Sequence, residues 1–161
     1  MGDKGIDGVA GQLGAGLFVS SYTHALDPKK RLTIPSDWRE SVGQPRQIFV
    51  LPAGGRRCLL CYPARDMNRR IERIQQIPLE HTRDRIMART LLASMSDLVA
   101  WDAQGRIRIK DELLNYAQLR DQVLMVGSFG GFELWDPKAW AEACEGVDAR
   151  RLLDATEMVD T

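Results

Sequence analysis

Leu26-Asp27-Pro28-Lys29-Lys30-Arg31-Leu32-Thr33-Ile34 returns 75 positions later as Trp101-Asp102-Ala103-Gln104-Gly105-Arg106-Ile107-Arg108-Ile109. Both stretches place an Asp four residues before an Arg inside an apolar frame. Working outward, Trp38 falls on Leu113, Leu60-Cys61-Tyr62-Pro63 on Glu133-Leu134-Trp135-Asp136, and Met67 on Trp140, the offset having dropped to 73. Two stretches that agree in order and spacing mark an internal duplication, which must be recognised before any fold is proposed. The change in offset puts a loop two residues longer in the first copy, around Gly54-Gly55. Each copy reads as strand, turn, strand, short helix, strand, strand, helix.

Arg106-Ile107-Arg108-Ile109-Lys110 alternates, which sets three cations on one face of a strand and two isoleucines on the other; Arg31-Leu32-Thr33-Ile34 repeats this with one cation. Asp27 and Asp102 precede tight turns, where a carboxylate accepts from backbone N–H groups just ahead. Gly105 suits a left-handed turn residue, and Lys30 in the same place costs about 1–2 kcal/mol. Ser36 or Asp37, and Asp111, are expected to cap the two short helices. Val50-Leu51-Pro52 and Cys58-Leu59-Leu60-Cys61-Tyr62 read as one hairpin, Val123-Leu124-Met125-Val126 and Phe132-Glu133-Leu134-Trp135 as another. Pro63 and Pro137 suit the first turn of the helix that follows each. Between the copies Met67, Ile71 and Ile74, then Met87, Leu91 and Met95, recur at helical spacing on either side of Pro78 and predict two linker helices.

The expected organisation is therefore a Gly-rich disordered leader over 1–16, a first repeat over 17–67, linker helices over 68–96, a second repeat over 97–141 and an acidic helix or tail over 142–161. At 161 residues the chain can bury one ordinary core, and each half alone is small, so one pseudo-symmetric domain is the better count. The leader's glycines form no phosphate loop, because no Gly-Lys-Ser/Thr follows.

Net charge is zero, from 22 basic and 22 acidic residues, so any nucleic-acid partner has to be held by a local patch. Cations cluster at Lys29-Lys30-Arg31, Arg56-Arg57, Arg69-Arg70 and Arg106-Arg108-Lys110. Taken alone, any one cluster reads as a solvated face; recurrence within a repeated motif favours a binding role. No stretch approaches the apolar length of a membrane span, and no export signal is visible, so a soluble intracellular protein with no membrane partner is expected. The options for catalysis are poor. His24 and His81 are the two imidazoles, no nucleophile elbow exists, and three cysteines with two histidines give no complete zinc site. Cys58 and Cys61 form a lone C-x-x-C whose side chains point to opposite faces of a strand, which reads as buried thiols rather than a redox pair. No catalytic residue, metal or cofactor is expected, and the chain is read as not an enzyme.

Tyr22-Thr23-His24-Ala25-Leu26-Asp27-Pro28-Lys29-Lys30-Arg31-Leu32-Thr33-Ile34-Pro35, followed in order by Phe129-Gly130-Gly131-Phe132-Glu133-Leu134-Trp135, resembles the MraZ family over about residues 17–141. The resemblance implies an α+β fold with a mainly β core: two pseudo-symmetric swapped-hairpin halves of AbrB/SpoVT type, forming one barrel-like domain with flanking helices. It further implies a cytoplasmic, nucleoid-associated DNA-binding regulator, usually a repressor, of the division and cell-wall gene cluster. Such a protein binds repeated upstream sites on double-stranded DNA as a homo-oligomeric ring, an octamer or dodecamer. Carried onto this chain, the DNA-contacting residues are Lys29, Lys30, Arg31, Arg106 and Arg108, with Asp27, Asp102 and Gly105 shaping the turns. For the second copy two readings stand: DNA contact, or an Asp that simply holds its Arg. The chain departs from the family pattern where Phe-Arg-Gly is Phe18-Val19-Ser20 and where the first turn's Gly is Lys30. An oligomeric protein-interaction module of the same fold, without operator recognition, is the alternative from another class; an enzyme revealed by a deep polar pocket is a third.

Overall fold

The structure is a computed structural model and describes residues 16–76, 78 and 82–159. The expected leader lies outside these residues except for Gly16, and so does His81. Among the described residues, eight strands and six α-helices follow one another as β1 (Ser21–Ala25), β2 (Arg31–Thr33), α1 (Ser36–Val42), β3 (Gln47–Pro52), β4 (Leu59–Pro63), α2 (Met67–Gln76), α3 (Thr82–Met95), β5 (Asp97–Ala100), β6 (Arg106–Arg108), α4 (Asp111–Ala117), β7 (Gln122–Gly127), β8 (Phe132–Trp135), α5 (Pro137–Cys144) and α6 (Arg150–Val159). A short 3₁₀ turn, Ala64–Asp66, leads into α2. The order read from the duplication is thus present in both copies, with α2 and α3 as the linker helices.

Six strands form one antiparallel sheet in the order β1-β7-β8-β4-β3-β5, and β2 pairs with β6 in a separate two-stranded ribbon. Each copy's first strand pairs with the other copy's third: Thr23 lies opposite Leu124, and Val99 opposite Ile48. The second strands meet in the ribbon, with Leu32 opposite Ile107. Fourth strands meet at the sheet centre, with Leu60 opposite Glu133. Both of these pairs join positions equivalent under the duplication, so a pseudo-twofold axis runs through them. Neither copy completes its own sheet, which is the swapped arrangement. The barrel, however, does not close among the described residues, because β1 and β5 end the six-stranded sheet at opposite edges and β2–β6 stands apart.

Loop lengths agree with the offset, six residues (53–58) between β3 and β4 against four (128–131) between β7 and β8. The core is the alternate face of these strands plus one stripe of each short helix: Leu32, Ile34, Ile48, Val50, Ile107, Ile109, Val123 and Met125 pack with Leu113 and Trp38. Trp38 stacks on Phe132 at 4.7 Å, meets Phe18 and Tyr22 edge-on, and donates its Nε1–H to Val19 O at 3.1 Å. Cys58 and Cys61 are both buried and belong to different hydrophobic clusters, consistent with opposite strand faces.

Three local expectations change. Neither Ser36/Asp37 nor Asp111 caps its helix; each helix starts earlier than expected, so the cap positions fall on Pro35 and Lys110, whose side chains have no acceptor to offer, and the Asp111 carboxylate faces Lys30 instead. Pro137 does start α5 as expected, and Asp136, not foreseen as a cap, accepts from Ala139 N at 3.0 Å. Lys110 leaves the cationic strand face: β6 ends at Arg108, and the Lys110 ammonium donates to Ser94 O and Ser96 O at 3.0 and 2.9 Å.

Candidate nucleic-acid interface

The two repeated turns are built alike. Asp27 Oδ1 accepts from Lys29 N and Arg31 N at 2.9 and 2.8 Å; Asp102 Oδ1 accepts from Gln104 N and Arg106 N at 2.9 and 3.0 Å. The remaining carboxylate oxygen takes the arginine Nε–H, at 2.6 Å for Arg31 and 2.9 Å for Arg106. An Asp four residues before an Arg therefore serves two ends at once, since it closes the turn and orients the guanidinium. Lys30 and Gly105 both sit left-handed, at φ 62° and 79°. Their carbonyls reach across the axis, Lys30 O accepting from Ile109 N at 3.2 Å and Gly105 O from Ile34 N at 2.8 Å. Each turn thereby fastens the other copy's strand.

On the ribbon, Arg31 lies directly opposite Arg108 and Thr33 opposite Arg106, while Leu32 and Ile107 face the core. Strand alternation then gathers Arg31, Arg106 and Arg108 on the outer face. Like charges placed opposite one another destabilise a ladder unless countered. Three carboxylates counter them: Asp27 with Arg31, Asp102 with Arg106 at 2.9 Å, and Asp111 with Arg108 at 3.7 Å. Asp27 also lies 4.0 Å from Arg106, a contact between the copies. Lys30 reaches Asp111 at 2.7 Å, and Lys29 is exposed at the turn tip.

The carboxyl groups register these surroundings. For Asp27, desolvation pushes upward, but the Arg31 backbone and guanidinium hydrogen bonds outweigh it and hold the group below its ordinary value near 3.8. Asp102 is lowered chiefly by the Arg106 N–H, then by its side chain; Asp111 is lowered first by the Lys30 ammonium. All three are charged at neutral pH, leaving five cations (Lys29, Lys30, Arg31, Arg106, Arg108) against three anions, a formal +2. The structure thus brings together every residue named from the sequence for this site. What it adds is Asp111, which sits 81 positions from the Lys30 it pairs with, Gln104, whose side chain accepts from Arg106 at 3.2 Å, and Arg39. The Arg39 Nε–H donates to Ile34 O at 3.1 Å, and its guanidinium occupies the space where a Gly105 side chain would stand. The bare Gly105 was the one sequence signal of that close approach.

No group of three or more His, Cys, Asp or Glu side chains among the described residues is placed to hold a metal. Burial pushes the Cys58 thiol up to about 11, with the Glu133 carboxylate adding to it and Arg56 opposing; burial lifts Cys61 well above the usual range. Neither is a reactive thiolate at neutral pH. No helix among the described residues is long and apolar enough to cross a membrane.

Strands exchanged across a pseudo-twofold axis, with both Asp-x-x-x-Arg turns delivered to one shared ribbon, define a swapped-hairpin protein of two duplicated halves. The profile of the family described as "MraZ protein, putative antitoxin-like" matches residues 17–90 and 92–159, so the chain belongs to the MraZ family. Relatives named "Transcriptional regulator MraZ" include one from Clostridium acetobutylicum, 31% identical over 86% of this chain and 95% of its own length. Similar proteins of that name come from Carboxydothermus hydrogenoformans, at 30%, and Roseiflexus castenholzii, at 29%; each alignment covers 89% of this chain and 98% of the relative.

Proposed function

We propose that this chain is a transcriptional regulator that binds double-stranded DNA through the β2–β6 ribbon and its two flanking turns. The observation that carries this reading is the convergence of both repeats' cations on one ribbon face with a net positive charge, in a family whose relatives bear the name of transcriptional regulators. Lys29 and Lys30 at the turn tip meet phosphates, which position the protein without reading sequence. Arg31 and Arg106, each held through Nε by its own Asp, present guanidinium groups of set orientation, suited to the paired acceptors O6 and N7 of guanine. One such face binds weakly. A ring of eight or twelve copies on repeated upstream sites gains through effective concentration, so oligomer and operator repetition act as one device. Repression of the division and cell-wall gene cluster from a nucleoid-associated position in the cytoplasm is the corresponding role, and the reading assigns no catalytic activity.

Fluorescence anisotropy on the duplex upstream of its own gene, against a scrambled repeat and at two salt concentrations, tests the reading. Wild type is expected to bind the repeats tightly and with steep salt dependence, and Arg31→Ala to lose about 1–3 kcal/mol of discrimination. Equal weak binding to both duplexes, unaltered by the substitution, refutes it. That result would favour the second reading, an oligomeric interaction module, which rests on the zero net charge and on exposed Val19 standing where the family pattern has an Arg.

A further inference from the structure

The linker helix α2 carries two faces. Met67, Ile71 and Ile74 turn towards Phe49 and Leu51 of β3, while Arg69, Arg70 and Arg73, with Gly16, Asp66 and Gly130, line a separate cavity of about 220 Å³. Arg70 is fixed there. Its guanidinium carbon stands 3.4 Å from the centre of the Tyr62 ring, and its Nε–H is buried without a hydrogen-bond partner among the described residues. Gly130 has no side chain to fill the space, and a Cβ there would come to 3.5 Å from the Arg70 amine. Protein packing does not require the cluster. At the duplicated positions, 73 further on, Arg69, Arg70 and Arg73 become Glu142, Ala143 and Gly146, and Tyr62 becomes Trp135, which packs on Trp140 at 5.3 Å. The second copy thus solves the same corner with an apolar contact.

We infer that the cavity between α2 and the Gly130 loop is an oxyanion site that takes a phosphate group. Three arginines and one carboxylate give the lining a formal +2, which matches a phosphate monoester near neutral pH. Asp66 opposes an anion, but Arg65 lies 3.9 Å from it and draws its charge aside. The stack on Tyr62 holds the Arg70 plane in place, so its outer amines can meet two phosphate oxygens side by side. The cavity is below the size of ordinary small-molecule pockets of roughly 300–1,000 Å³, which suits a phosphate group rather than a bulky ligand. The phosphate can come from free phosphorylated solutes or from a nucleic-acid backbone, and only the second source rests on the proposed function.

Phosphorus-31 line broadening of inorganic phosphate by the full chain, at constant ionic strength, reads the site directly. Wild type is expected to broaden the line saturably, Arg70→Gln to weaken the affinity at least about tenfold, and Arg73→Gln, on the exposed side of the helix, to weaken it several-fold. Circular dichroism of both variants separates lost binding from lost fold. A second arm measures the salt slope of duplex binding. If Arg70→Gln lowers it by about one, the occupant is a backbone phosphate; if the slope is unchanged while free phosphate binding is lost, the occupant is a free phosphorylated solute. No broadening by wild type together with an unaltered slope, or equal broadening by both folded variants, overturns the inference. Failure of wild type to bind the duplex at all refutes the regulator reading and leaves the free-phosphate arm standing.

Discussion

Gly105→Ala puts a methyl group into the tightest point of the second repeated turn. The backbone there sits at φ 79°, where a Cβ costs about 1–2 kcal/mol, part of it offset by the 0.4–1 kcal/mol that Ala gains over Gly by restricting the unfolded chain. The new Cβ would also lie 2.7 Å from Arg39 Cζ and 2.8 Å from its Nε, so the guanidinium must leave. With it goes the Arg39 bond to Ile34 O, a charged-donor bond worth about 1 kcal/mol at a half-buried position. The sum is about 2 kcal/mol, or a fall of about 1 M in urea midpoint at a slope near 2 kcal/mol/M. In an Arg39→Ala background the second contribution has already gone, and the same substitution should cost only about 1 kcal/mol. The assay is equilibrium urea unfolding of the four proteins of this cycle, at one fixed protein concentration because assembly couples to stability. A cost that is equal in both backgrounds to within about 0.5 kcal/mol would refute the claim that Arg39 occupies the glycine's space.

Gly131→Ala aims a Cβ at the Cys61 carbonyl oxygen, backbone that cannot yield, and to 2.6 Å from the Tyr62 ring; it should cost at least about 3 kcal/mol, whereas Gly54→Ala, with nothing within reach, should be near neutral, both read by urea midpoint. Asp102 has a folded pKa below its ordinary value, so its contribution is present above about pH 4 and lost as pH falls through the folded value. Asp102→Asn should therefore trail wild type most at pH 7, with the gap narrowing as pH is lowered below about 4, and a gap that widens on acidification would contradict the assignment. With Cys58 and Cys61 buried and Cys144 exposed, an aromatic disulfide reagent at pH 8 should label one thiol quickly in the native chain and all three in guanidinium; two fast thiols would show that the C-x-x-C is open.

The duplication made most of the chain legible, because a strand that alternates Arg-Ile-Arg and a turn that needs a glycine declare themselves locally. Lys30 shows how far this reaches: its place, equivalent to that of Gly105 in the other copy, predicted a left-handed lysine, and its φ is 62°. The pairing of strands across the copies was a different matter. Nothing within Ser21–Ala25 says that its partner lies 100 residues away on β7 rather than in its own repeat, and only the family resemblance supplied the swap. The counter-ion Asp111 was hidden for the same reason. In sequence it reads as a helix cap, and only the meeting of β2 with β6 sets it between Lys30 and Arg108. Lys110 was misplaced because alternation predicts a strand face only while the strand continues, and β6 ends two residues earlier.

The two turns share a backbone but not a surface, and that difference divides the proposed labour on DNA. Pro28-Lys29-Lys30 at the first tip is cationic, and Ala103-Gln104-Gly105 at the second is neutral, while each arginine behind them is held by its own Asp in the same way. Phosphate attraction should then come mainly from the first tip, and base reading from Arg31 and Arg106 on the ribbon. Replacing Pro28-Lys29-Lys30 by Ala-Gln-Gly makes the first tip a copy of the second. Gly at position 30 relieves the left-handed strain, so the graft should fold at least as well as wild type apart from the exposed Lys30–Asp111 pair, which is worth little. With two phosphate contacts removed, the slope of log affinity against log salt should fall by about 1.8 per bound face. The ratio of affinities for repeated over scrambled sites should stay within about threefold of wild type, because contacts to phosphate carry no sequence information. Loss of that ratio in a folded graft would place base recognition in the lysine tip and not in the paired arginines, and the division of roles would fall.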